Sequence, residues 1–88
     1  MNGIEAAEQR ITALFAEDLQ LQVPTRDTDL FDTGLVDSLR FVELVLKLEQ
    51  EFGVEIPVET VELEHFRTVE SIAQLVMSRQ GVRTPRSR

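Results

Sequence analysis

Apolar residues recur at helical spacing in three stretches of this chain, and nowhere do they alternate as a half-buried strand requires. That pattern confines the chain to an all-α fold. Ile4, Ala7, Ile11, Leu14 and Phe15 set a first helix from Ile4 to Leu19, with Glu5, Glu8, Gln9 and Thr12 between them. A second starts near Asp37-Ser38. Leu39, Val42, Val45, Leu46 and Phe52 form its apolar stripe, widened by Phe41, Leu44 and Leu48, and Gly53 stops it. Thr68 caps a last helix in which Val69, Ile72, Ala73 and Val76 follow i, i+3, i+4, i+7, ending at Gly81. Pro57 opens a short helical segment carrying Val58, Val61 and Leu63. The expected architecture is a four-helix bundle, three longer helices and one short, with a long first loop. Its core is expected from Ile11, Leu14, Phe15, Val42, Leu46, Val69, Ile72 and Val76.

The long loop spans residues 20–37. Pro24 and the turn formers Thr25, Asp27, Thr28, Asp29, Asp32, Thr33 and Gly34 break the period, while Leu30, Phe31, Leu35 and Val36 predict that it packs onto the body. Structureless loops this long are uncommon in compact domains and are often functional.

Size and composition narrow the function. Eighty-eight residues make one domain, read as 1–80 with an Arg-rich, disordered tail over 81–88. A core this small leaves little room for a deep substrate cavity, which disfavours an enzyme. The absence of cysteine removes disulfides, thiolate metal sites and a cysteine nucleophile together. No apolar run reaches membrane-spanning length, and the N-terminus lacks a signal-peptide pattern, so a cytoplasmic protein without membrane insertion is expected. Residues 1–78 hold five bases against sixteen acids, a net charge of −11. Such a body repels nucleic acid and attracts basic protein surfaces.

Two catalytic or metal readings fail on pattern. Asp27, Asp29 and Asp32 resemble the start of a calcium loop, but the third acid is displaced, Gly34 is misplaced, and Ser38 stands where a bidentate glutamate is needed. A hydrolase built on Ser38 and His65 lacks the G-x-S-x-G turn. The strongest constellation is Gly34-Leu35-Val36-Asp37-Ser38-Leu39. A serine or aspartate at a helix start is ordinarily a cap. Here Ser38 also ends a long loop and opens the most apolar helix, with Leu39 and Val42 expected to anchor the turn. A phosphate on its hydroxyl would lie in the favourable field of a helix N-terminus.

Leu30-Phe31-Asp32-Thr33-Gly34-Leu35-Val36-Asp37-Ser38-Leu39 resembles the phosphopantetheine attachment motif of acyl and peptidyl carrier proteins. Val42-Glu43-Leu44-Val45 and Leu48-Glu49-Gln50-Glu51-Phe52-Gly53-Val54-Glu55-Ile56-Pro57 are similar to the recognition helix of that family and its exit. The resemblance spans residues 4–78. It implies a four-helix carrier whose Ser38 Oγ bears 4′-phosphopantetheine, transferred from coenzyme A by a phosphopantetheinyl transferase. The arm's thiol would hold an acyl or aminoacyl thioester, and the protein itself would catalyse nothing. Asp37 matches the aspartate that transferases read, and Leu39 the motif's apolar anchor. Glu43 and Glu49 match acidic partner-binding positions.

Arg40, Phe41 and Lys47 depart from the fatty-acid type and are candidate partner contacts. The segment Val61 to Ile72 also differs from that type and, with Gly34-Leu35-Val36-Asp37-Ser38, looks closer to free-standing carriers of D-alanine or other amino acids and to those of polyketide or nonribosomal peptide pathways. Such a carrier is expected to be a monomer, served by an adenylating ligase or acyltransferase and by a downstream synthase or transferase. Two alternatives stand beside it: a fatty-acid synthesis carrier, and, in another class, an unmodified acidic helical adaptor for a basic protein.

Overall fold

The computed structural model describes residues 3–57, 59 and 61–81. It is all-helical over these residues: α1 (Gly3–Asp18), α2 (Ser38–Phe52), a short 3-10 helix (Leu63–Phe66) and α3 (Val69–Gly81). The three long helices lie where periodicity and caps put them. The short one is a 3-10 turn that opens at Leu63 rather than at Pro57. The tail from Val82 to Arg88 lies outside the described residues. None of the described helices is long and apolar enough to cross a membrane.

The caps follow from residue chemistry. Gly53 ends α2 in the left-handed region at φ 64°, its N–H donating to the Glu49 carbonyl at 2.9 Å, a conformation that costs a residue with a Cβ. Thr68 Oγ1 accepts from the Ser71 backbone N–H at 3.0 Å while Ser71 Oγ accepts from the Thr68 N–H at 3.1 Å, a reciprocal closure of the α3 N-terminus.

α1 packs chiefly on α3, with α2 across them. The core holds Ile11, Leu14, Phe15, Val69, Ile72 and Val76, as expected, together with Leu44, Val45, Leu48, Leu30, Val36 and Phe66. Two expected members are not in it. Val42 is 55% exposed and Leu46 52%. The buried face of α2 is instead Leu44, Val45 and Leu48, flanked by half-buried Phe41 and Phe52, a second stripe of helical period on the same helix.

The long connection is packed, as its apolar residues predict. Leu30 and Val36 are buried, and Phe31 and Leu35 rest against the core. Arg26 fastens its middle. The guanidinium reaches Glu8 on α1 at 3.1 Å and Glu70 on α3 at 3.2 Å, and the Arg26 carbonyl accepts from the Glu70 N–H at 3.0 Å. Glu8 is the buried charge among the described residues, and this pairing is what permits its burial.

Candidate functional site

The turn that leads into α2 is built by one carboxylate. Asp29 Oδ1 accepts from the backbone N–H of Phe31 at 3.1 Å and of Asp32 at 2.8 Å, and the Asp29 carbonyl accepts from Thr33 Oγ1 at 2.7 Å. Gly34 closes the turn at φ 79°, donating to the Phe31 carbonyl at 3.0 Å. The Val36 N–H donates to the Leu30 carbonyl at 3.0 Å, which aims the chain at Asp37. Asp29 and Asp32 gather on Arg67, at 2.9 and 3.8 Å, so these acids neutralise a guanidinium.

Asp37 then caps α2. Its backbone is extended (φ −103°, ψ −172°), Oδ1 accepts from the Arg40 N–H at 2.9 Å, and its carbonyl accepts from the Phe41 N–H at 2.8 Å. Ser38 is therefore the first helical residue and not the cap. It is exposed, and among the described residues its hydroxyl makes no hydrogen bond. A serine freed of the capping task, at a helix N-terminus whose leading N–H groups favour negative charge, suits a phosphodiester.

The sides of α2 differ from the expectation. Leu39 is 71% exposed and, with Val42 and Leu46, forms an apolar row facing solvent. Leu39 and Val42 thus do not anchor the first turn. Phe41 does so, half-buried, with its ring edge-on to Phe66 at 5.0 Å between centroids and tilted against Phe31 at 6.3 Å. Arg40 Nη1 donates to the Leu19 carbonyl at 2.8 Å and lies 4.0 Å from Glu43. Glu43 is exposed, and Lys47 is half-buried. Glu49 Oε2 accepts from the Ile56 N–H at 2.9 Å, so this carboxylate fixes the chain beyond α2. His65 is exposed on the 3-10 helix, its Nδ1 3.2 Å from the Glu62 carbonyl oxygen.

Two features escaped the sequence reading. One is the exposed Leu39–Val42–Leu46 row, which shares its period with the buried stripe. The other is Arg67, whose partners in the turn, Asp29 and Asp32, are distant in the chain.

The chain matches the family model described as phosphopantetheine attachment site over residues 9–76. It belongs to that family. Among curated proteins, it is 39% identical over 68 residues to the D-alanyl carrier protein of Streptococcus uberis (strain ATCC BAA-854 / 0140J), covering 77% of this chain and 82% of the relative. It is 39% identical over 61 residues to the D-alanyl carrier protein of Streptococcus pyogenes serotype M5 (strain Manfredo), covering 69% and 73%. The chain is a non-catalytic carrier whose prosthetic group is covalent 4′-phosphopantetheine, and it works with partner enzymes such as ligases and transferases. That group supplies a thiol on a long arm, where cargo is held as a thioester. The carrier's own residues present the attachment point and the surface around it.

The turn has a pH signature. Asp29 is held below the usual aspartate range, chiefly by the Asp32 N–H and further by the Arg67 guanidinium, against partial burial. A depressed native pKa stabilises the ionised form. Its contribution is complete above about pH 4 and is lost as pH falls through the native value. Urea unfolding of the carrier and of Asp29→Asn should therefore differ most at neutral pH, and the difference should shrink as pH falls below about 4.

Proposed function

We propose that Ser38 Oγ is the phosphopantetheine attachment point and that the cargo is an amino acid of the D-alanine class, activated by an adenylating ligase and passed to a downstream transferase. The observation that carries the first part is the division of labour at the α2 start: Asp37 takes the cap, and the Ser38 hydroxyl is left exposed and free among the described residues. The cargo assignment is supported by the two streptococcal relatives, both D-alanyl carriers. Asp37, exposed beside the serine, is the group a phosphopantetheinyl transferase reads, and the reaction takes place in the cytoplasm, where coenzyme A and ATP are supplied. The acidic adaptor reading leaves Ser38 unmodified, and the fatty-acid reading changes only the cargo.

The test is an intact-mass spectrum after incubation with coenzyme A, magnesium and a broad-specificity transferase, followed by D-alanine, ATP and a D-alanine-activating ligase. One phosphopantetheine and then one alanyl addition are expected. A folded, unmodified protein beside a modified control carrier would bring the adaptor forward. A modified protein that takes long-chain acyl groups and refuses D-alanine would replace the cargo.

Leu39, Val42 and Leu46 form the apolar part of the partner surface, with Arg40, Phe41, Glu43 and Lys47 around it and Glu49 tied to the chain behind it. Truncating an exposed side chain costs a fold little, about 0.5 kcal/mol or less, whereas truncating an interface anchor costs more than about 1 kcal/mol. Leu39→Ala and Val42→Ala should leave urea unfolding unchanged and raise KM for the loading ligase about tenfold. Unchanged KM in both would move docking off this row.

A further inference from the structure

We propose that Arg67 is a positioning residue for the loading of Ser38, holding the turn before α2 so that the hydroxyl is presented to the transferase. The inference rests on the reading of Ser38 as the attachment point and adds a side chain from the far end of the chain to its machinery.

Two bonds from Arg67 enter the turn. Its carbonyl accepts from the Leu30 N–H at 2.7 Å, and its Nη1 donates to Asp29 Oδ2 at 2.9 Å. Asp29 uses its other oxygen to hold the N–H groups of Phe31 and Asp32, so one carboxylate links the guanidinium to two amides of the turn. From Leu30 the order passes through the Val36 N–H to Asp37, the cap, and so to Ser38. Glu64 holds the guanidinium from behind at 3.3 Å. The preceding residue, Phe66, is 1% exposed and sets its ring against Phe41 in the first turn of α2. Phe66 and Arg67 thus fix the chain on both sides of Ser38, one after it and one before it.

Half-exposed ion pairs add little to stability. What this one fixes is direction, and the rate at which a nucleophile is used depends on direction far more steeply than folding does. Arg26 provides an internal control. It also bridges two acids, but its partners, Glu8 and Glu70, lie on α1 and α3 rather than in the turn.

The experiment measures kcat/KM for phosphopantetheinylation of the apo-carrier at a temperature where every variant is folded. The variants are Arg67→Gln, Asp29→Asn, the double variant, Arg67→Lys and Arg26→Gln, with amide exchange of Leu30 and Val36 followed alongside. Arg67→Gln and Asp29→Asn are each expected to lower kcat/KM about tenfold through kcat and to speed exchange at Leu30 and Val36. The double variant should be no worse than either single one, because the two residues act as one unit. Arg67→Lys should recover part of the rate, and Arg26→Gln should stay within about twofold of the parent. Modification of Arg67→Gln within about twofold of the parent, or an equal loss in Arg26→Gln, overturns the proposal. A parent that is not modified, or a Ser38→Ala protein that is, overturns the Ser38 reading itself and is recognised by that result alone.

Discussion

Ser38→Ala is expected to abolish phosphopantetheine addition completely while leaving thermal unfolding within about 0.5 kcal/mol of the parent. Both halves follow from the α2 N-terminus. The hydroxyl is the proposed nucleophile, and no other group at this position can form the phosphodiester. It also contributes no hydrogen bond to the cap, since Arg40 N–H is bound by Asp37 Oδ1 at 2.9 Å. Asp37→Ala should instead lose about 1 kcal/mol of stability with its cap, and its loading should slow as well, because the proposed transferase contact is removed with it. Intact mass and urea unfolding, read on the two variants together, separate chemistry from capping. A Ser38→Ala protein that loses a cap's worth of stability would mean that the serine shares the capping role, and residual mass addition would place the arm on another residue.

Phe66→Ala carries the largest expected loss of stability, about 3–5 kcal/mol. Phe66 is 1% exposed and joins the 3-10 helix, the Asp29 turn and α2 through the Phe41 ring at 5.0 Å. Its removal opens a cavity that the short 3-10 helix has no neighbouring turns to close. Domains of this size have roughly 5–15 kcal/mol in all, so a large share of the margin goes with one ring. Chemical denaturation with a folded-baseline check measures it. A loss under about 1.5 kcal/mol, the scale of a conservative core exchange, would mean that the surroundings collapse into the space.

The helices and their ends were legible because their signals are local. Gly53 in the left-handed region, Thr68 paired with Ser71, and Asp37 before the apolar run each act within one turn of the chain. Family membership was legible for the same reason, because the motif over residues 30–39 that carries the resemblance is contiguous. The orientation of α2 was not. Leu39, Val42 and Leu46 share one helical period, and Phe41, Leu44, Val45, Leu48 and Phe52 share another. Period alone does not say which stripe meets the core. The longer stripe, with two aromatic rings, is the one that buries. The Arg26–Glu8 and Arg67–Asp29 pairs left no periodic trace, because the partners in each are remote in the chain. Glu49 read as a partner-facing acid because its bond to the Ile56 N–H forms only once the chain turns back beyond α2.

The anchoring of the first connection bears on how the carrier survives while it waits between enzymes. A protease must draw a run of extended backbone into its cleft, and long linkers ordinarily supply it. Here Leu21 is bonded to Phe15, Arg26 to α1 and α3, and Leu30 to Arg67, so the connection is divided into short spans pinned at both ends. The segment richest in turn formers then gives a protease little slack. Limited digestion of the native carrier should spare residues 19–37 until the whole domain opens, so cleavage there should follow the rate of global unfolding rather than that of local opening.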